Sequence, residues 1–299
     1  MTENPSVNRA RAWLHAVRIP TLAAALVPVA VGSALAARDH RFRLAPAIAA
    51  LVGAIFIQIG TNLVNDWGDF LRGADARGRL GPPRALAMGW LTTAEVRVGI
   101  LLSFLCAILA GIYLWAAAGW IVVVIGLLSI AAGIAYTAGP WPLAYHGLGE
   151  IFVFFFFGMV AVCGTYFVEA RSLPLYVTFS AIPVGALATA ILVVNNVRDL
   201  DGDRASGKRT LAVRVGPRGA RAEYLLLLAV AYLTPALLAL SGRASAWALL
   251  PLMTAPLAAL EGRRVLARGD GASLNAALLG TARLHVLFGI LFAAGMAIA

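Results

Sequence analysis

Apolar runs separated by short polar breaks set the architecture of this chain. Nine stretches are long enough, or nearly so, to cross a hydrocarbon core of ~30 Å. They are Pro20–Ala37, Leu44–Val64, Val98–Ala118, Trp120–Ala138, Ile151–Val168, Leu173–Val194, Tyr224–Ser241, Ala244–Leu260 and Leu284–Ala299. The third and fourth form one uncharged run too long for a single crossing, so we divide it near Gly119. No alternating barrel pattern is present, and lipid requires backbone polar groups to be satisfied within the structure, so the spans are helices. The expected fold is all-α: a polytopic membrane bundle of about nine transmembrane helices, one domain over residues 1–299. Thr92-Thr93-Ala94-Glu95 has the capping-box pattern that starts the third helix. The polar stretch Met1–Arg18 leads straight into an apolar run without the pattern of a cleavable signal peptide.

Composition agrees. Apolar residues make up 61% of the 299 and charged residues 13%, against roughly 45–50% and about 25% in soluble domains. A soluble fold and a disordered chain are both excluded. So is a disulfide scaffold, because the two cysteines, Cys106 and Cys163, lie in apolar runs. The net charge of +10 would suggest nucleic acid in a soluble protein. Here no nucleic-acid partner is expected, because basic loops orient helices in a bilayer. The N-terminal tail and the even-numbered loops carry 19 of the 24 Lys and Arg. That asymmetry puts the tail (1–18) and the two large loops (66–97 and 198–223) in the cytoplasm and the C-terminus outside.

Acidic residues are scarce, and six of the 14 fall in two clusters. One runs from Asn62 to Asp75 at the end of the second span; the other runs from Asn195 to Arg204 at the end of the sixth. If the second helix continues past the membrane boundary, Asn62, Asn65, Asp66 and Asp69 share one face at i, i+3, i+4 and i+7. Asn196, Asp199 and Asp203 share a face at i, i+3 and i+7. Stacked carboxylates repel, and a divalent cation removes the repulsion. All-oxygen ligands suit Mg²⁺, which keeps several waters and shares its shell with phosphate. Two such sets facing each other would hold one diphosphate between metal ions. The plainer alternative, solvated carboxylates paired with arginines, fits a single Asp better than two one-sided clusters. Asp75 lies beyond a glycine, and Asp201 points off the second face.

Basic residues follow each cluster: Arg72, Arg77, Arg79 and Arg84 after the first, Lys208, Arg209, Arg214 and Arg218 after the second. Such groups bind phosphate oxygens and stabilise a leaving group. Arg77, Arg209 and Arg218, taken singly, are better explained as topology anchors near anionic headgroups. Gly73, Gly78, Gly81, Pro82 and Pro83 make the first loop a set of turns, suited to fold over a substrate.

At these residues the sequence resembles the UbiA superfamily of intramembrane aromatic prenyltransferases. The first cluster is similar to that superfamily's Asn-Asp-x-x-Asp motif, the second to its Asp-x-x-x-Asp motif at Asp199 and Asp203. The branch acting on 1,4-dihydroxy-2-naphthoate in menaquinone synthesis is the most similar. Four stretches carry that likeness: Asn62–Asp75, Arg79–Thr92, Tyr136–Glu150 and Asn195–Gly216. The resemblance implies nine helices around a central cavity, with Mg²⁺ as cofactor. It implies a polyprenyl diphosphate donor and an aromatic acceptor, 1,4-dihydroxy-2-naphthoate, which loses CO₂ as it is prenylated to a demethylmenaquinone. By the same resemblance Asn65, Asp66, Asp69, Asp199 and Asp203 hold the Mg²⁺–diphosphate, and Arg72, Arg79, Lys208 and Arg214 are candidate diphosphate contacts. Tyr136 would face the reacting allylic carbon; a membrane-interface aromatic is the alternative role. One departure concerns the acceptor: the branch often has Arg-Pro-Lys-Thr-Leu before the first span, and here the stretch is Arg18-Ile19-Pro20-Thr21-Leu22, without the lysine.

Two other classes fit the pattern less well. A transporter would place its acids at the midplane, and these sit at one edge. A CDP-alcohol phosphatidyltransferase needs Asp-Gly-x-x-Ala-Arg, and here Asp201-Gly202 is followed by Asp203-Arg204-Ala205-Ser206. His15, His40, His146 and His285 have no metal-ligand spacing. The five phenylalanines within Phe152–Phe157 cannot all face one groove of a helix, so packing or lipid contact is expected of them.

Overall fold

A computed structural model describes residues 8–73, 80–267 and 271–298. The described residues are helical and contain no strand. The elements are α1 (Arg9–Val17), α2 (Ile19–Arg38), α3 (Leu44–Leu71), α4 (Thr93–Ala118), α5 (Ile121–Ala135), α6 (Gly149–Val153), α7 (Ala161–Ala170), α8 (Leu175–Arg198), α9 (Leu200–Ala205), α10 (Leu211–Leu240), α11 (Ala255–Leu266) and α12 (Gly271–Ile298). A π-helical segment, Phe154–Val160, joins α6 to α7, and 3-10 turns cover Leu143–His146 and Ala246–Thr254.

Among the described residues, seven helices are long and apolar enough to cross a membrane: α2, α3, α4, the continuous Gly149–Ala170, α8, α10 and α12. The expected count of nine is not reproduced by length. The fourth expected span is the shorter α5, whose 15 residues rise only about 22 Å. The eighth is split into a 3-10 stretch and α11, because Pro251 and Pro256 remove backbone donors there. The division between α4 and α5 falls at Gly119, where φ is 94°. Thr92 and Glu95 cap α4 reciprocally, as the sequence pattern requires. α12 begins well before Leu284, because Thr281 and the other small residues of its first half are turned inward.

α8 lies at the centre of the bundle, packed against α10, α12 and the π-helical segment. Small residues permit the close approach, as membrane helices require. A Cβ on Gly158 would come within 2.8 Å of the Gly185 Cα, and one on Gly32 within 2.6 Å of the Val162 carbonyl oxygen. The outer faces carry exposed Leu101, Leu109, Ile112, Leu226 and Leu237. Trp115, Trp120, Trp141 and Trp247 are also exposed, as suits membrane–water interfaces.

Candidate active site

α3 runs on to Leu71, so the first acidic cluster is part of the helix. It ends just before Gly73, whose φ of 65° suits a residue without Cβ. The second cluster occupies the end of α8 and the short α9. Both border one cavity of about 1190 Å³, lined by Gln58, Asn62, Asn65 and Asp69 on one side and by Asn195, Asn196, Asp199 and Asp203 on the other.

Asp69 is the hub. Its Oδ1 accepts from the Tyr145 hydroxyl at 2.9 Å and from Lys208 Nζ at 3.0 Å, and its Oδ2 accepts from Arg84 Nη2 at 3.2 Å. Lys208 Nζ also lies 3.8 Å from Asp203 Oδ1 and 4.9 Å over the Tyr145 ring. The two acidic clusters therefore face each other across one ammonium. Asp199 accepts from the Arg198 Nε and Nη2 at 2.8 and 2.6 Å. That guanidinium is 4% exposed and also donates to Asn195 and Asn275. Asn275 donates in turn to the Leu80 carbonyl at 2.9 Å, fastening the loop after α3 to α12.

The remaining candidates divide. Asn65 Oδ1 accepts from Thr137 at 2.7 Å and lines the cavity. Asp66 is 1% exposed, and its Oδ2 accepts from the Leu86 N–H at 3.4 Å, so it lies under the loop rather than on the cavity wall. Asn62 donates to the Val17 carbonyl and to Thr21 at 2.8 Å each and accepts from Gln58 at 3.2 Å. Its amide thus secures the α1–α2 junction, where Arg18 takes a left-handed φ of 56°. Asn196 donates to Glu150 at 2.7 Å. Arg84 and Lys208 reach the acids, whereas Arg72 donates to the Thr137 and Gly139 carbonyls at 2.6 and 2.5 Å. Arg214 donates to the Arg209 carbonyl at 3.1 Å. Arg72 and Arg214 fasten loops and do not border the cavity. Arg79 and Asp75 lie outside the described residues.

Tyr136 follows α5 and lines the cavity. Its hydroxyl sits beside Gly149, where a Cβ would come within 2.9 Å of it. The carboxylates of Glu150, Asp69 and Asp203 all act on it electrostatically. Phe152, Phe156 and Phe157 border the apolar part of the cavity, while Phe155 is 52% exposed and Phe154 packs into the core. The phenylalanine run is thus shared among three environments, and π-helical winding at such a place often marks a functional site.

Sequence reasoning missed Tyr145, Thr137, Arg198 and Glu150. Thr137, Tyr145 and Glu150 lie in the Tyr136–Glu150 stretch and Arg198 in the second acidic cluster, so those segments were the signal that could have found them.

The oxygen donors of Asn65, Asp69, Asp199 and Asp203 suit a hard divalent cation, and Asp69 and Asp203 already share one positive charge. Among the described residues no three His, Cys, Asp or Glu side chains are grouped to hold a metal unaided. Such a cation would therefore complete its shell from water and phosphate, as Mg²⁺ does.

The chain belongs to the UbiA prenyltransferase family, matched over residues 25–298, which makes this apolar helical bundle a membrane prenyltransferase. Among its relatives, the 1,4-dihydroxy-2-naphthoate octaprenyltransferase of Escherichia coli K12 is 36% identical over 304 residues, covering 99% of this chain and 98% of that protein. The enzyme of the same name from Mycobacterium tuberculosis is 38% identical over 247 residues, covering 82% and 83%. A UbiA homologue from Archaeoglobus fulgidus, solved with GPP and Mg²⁺, shares the fold with a TM-score of 0.65 at 17% identity, over 94% of this chain and 99% of that one.

Proposed function

We propose that this prenyltransferase moves a polyprenyl group from polyprenyl diphosphate to 1,4-dihydroxy-2-naphthoate at the cytoplasmic edge of the cell membrane, giving the hydroquinone form of a demethylmenaquinone. The observation that supports it most is the convergence of Asp69 and Asp203 on Lys208 at the polar end of a cavity whose other end is apolar. The curated relatives' names supply the acceptor.

Asn65, Asp69, Asp199 and Asp203 would hold Mg²⁺, and Asn62 and Asp66 position the segments around them. Mg²⁺ bound there would supply the positive charge that makes diphosphate a better leaving group. Arg84 and Lys208 turn from Asp69 toward the diphosphate oxygens as charge develops on them. The allylic C–O bond breaks, and the electron pair leaves with the diphosphate. Phe152, Phe156 and Phe157 keep water from the allylic cation. The Tyr136 phenol, neutral at physiological pH, presents its electron-rich ring to that cation. The ring carbon that bears the carboxylate forms the new C–C bond and releases CO₂, and the electron pair of the broken C–C bond restores the aromatic ring.

Purified protein given Mg²⁺, labelled polyprenyl diphosphate and dihydroxynaphthoate is expected to release diphosphate and CO₂ and to form a lipid-soluble labelled product. Transfer only to 4-hydroxybenzoate or homogentisate would overturn the acceptor. Ion flux without transfer would overturn the enzymatic reading.

A further inference from the structure

Glu150 is buried in the second position of the Gly149–Ala170 helix, 4% exposed, and the mechanism above does not use it. Its Oε1 accepts from Asn196 Nδ2 at 2.7 Å, and its Oε2 is buried without a hydrogen-bond partner. The Asn196 amide therefore faces the Glu150 carboxyl group with its NH₂. The amide oxygen is then turned away. Asn196 lines the cavity, and no donor among the described residues takes up that oxygen. A buried carboxyl group with unmet acceptor capacity costs stability, so packing alone does not account for Glu150.

The position of that oxygen restricts what it meets. Asn196 is one turn of α8 deeper in the bundle than Asp199, on the same face. It lies on the side of the cavity that includes Tyr136 and Leu192, where the Tyr136 hydroxyl adjoins Gly149. The diphosphate itself offers only acceptors, and the cation proposed above is held one turn shallower, at Asp199 and Asp203. A phenolic hydroxyl offers a donor.

We infer that Glu150 is a positioning residue that fixes the Asn196 amide so that its oxygen accepts an O–H of the aromatic acceptor. This rests on the acceptor chemistry proposed above. It assigns Asn196 to the acceptor rather than to the metal.

The test uses the full-length protein in lipid nanodiscs with Mg²⁺ and polyprenyl diphosphate. Glu150→Leu and Asn196→Ala are expected to raise KM for dihydroxynaphthoate about tenfold, the value of one neutral hydrogen bond, with a much smaller change in KM for the donor. Glu150→Gln keeps an oxygen to receive Nδ2 and is expected to recover most of the loss. A second readout needs no change at Glu150. Of the two mono-O-methyl ethers of the acceptor, one is expected to bind the unmodified protein about tenfold more weakly than the parent, and to bind Asn196→Ala no more weakly than the parent does. The inference is overturned if the donor KM or the Mg²⁺ requirement rises instead, if Glu150→Gln is as impaired as Glu150→Leu, or if Asn196→Ala still discriminates against the ether. Failure of the unmodified protein to prenylate dihydroxynaphthoate would overturn the acceptor identity alone. The same variants would then be measured with the aromatic acceptor that is prenylated, and an acceptor without a hydroxyl would overturn the inference too.

Discussion

Lys208 stands where a metal–diphosphate complex would bring positive charge, and its removal separates the two roles. Its ammonium is 3.0 Å from Asp69 Oδ1 and 3.8 Å from Asp203 Oδ1, with side-chain exposures of 13% for Lys208, 3% for Asp69 and 13% for Asp203. At an effective dielectric constant near 20 the two attractions amount to about 5 and about 4 kcal/mol. Desolvation offsets most of this, and a hydrogen bond between charged groups contributes a net of about 2 kcal/mol. Lys208→Met keeps the length of the side chain and removes the charge. In the donor-free protein the two carboxylates then face each other without their shared cation, and Mg²⁺ no longer has to displace an ammonium. We expect the dissociation constant for Mg²⁺, measured by titration calorimetry without donor, to fall about thirtyfold, the equivalent of about 2 kcal/mol. We expect KM for the polyprenyl diphosphate to rise, because its oxygens lose a cation. Lys208→Arg keeps the charge and should show little of the Mg²⁺ effect. An unchanged or weaker Mg²⁺ affinity in Lys208→Met would refute the idea that lysine and metal share these carboxylates.

Three further perturbations test neighbouring parts. Asp199→Ala leaves the buried Arg198 guanidinium without its bidentate partner, which should cost about 3–5 kcal/mol and appear as a lower melting temperature together with lost turnover. Asn62→Leu frees the Val17 carbonyl and Thr21; turnover should fall while donor-free Mg²⁺ affinity, read by the same calorimetry, stays unchanged, whereas a loss of Mg²⁺ affinity would make Asn62 a ligand. Gly280→Ala would place a Cβ 2.2 Å from the Glu261 carboxylate. Overpacking of about 1–3 kcal/mol should lower thermal stability with little change in the donor KM.

What could be read along the chain was whatever local spacing determines. The i, i+3, i+7 arrangement of Asn62, Asn65 and Asp69 needed only helical continuation past Val64, and the cap at Thr92–Glu95 needed only a four-residue pattern. What could not be read depends on partners far away in sequence. Arg72 looked like a phosphate ligand because it follows an acidic cluster, yet its guanidinium is taken by carbonyls 65 and 67 residues further on. Asn62 lies on the face of Asp69, yet its amide is committed 45 residues back, to Val17 at the turn that Arg18 makes in a left-handed conformation. Asp66, one residue from Asn65, supports the Leu86 backbone. In each case a polar side chain at the membrane edge must satisfy itself where water is scarce, and whichever backbone group the fold brings near claims it. Composition alone cannot separate groups that serve chemistry from groups that hold its walls. Asp69 and Lys208 differ from these because their partners are mobile-headed charges on opposite elements rather than fixed carbonyls. A carbonyl contact locks a side chain into the scaffold, whereas a cation held between two carboxylates can be exchanged for another. On the proposed function, the exchangeable contacts of the site are the ones that substrate and metal would take over, and the carbonyl-bound arginines belong to the frame that keeps the acids opposed.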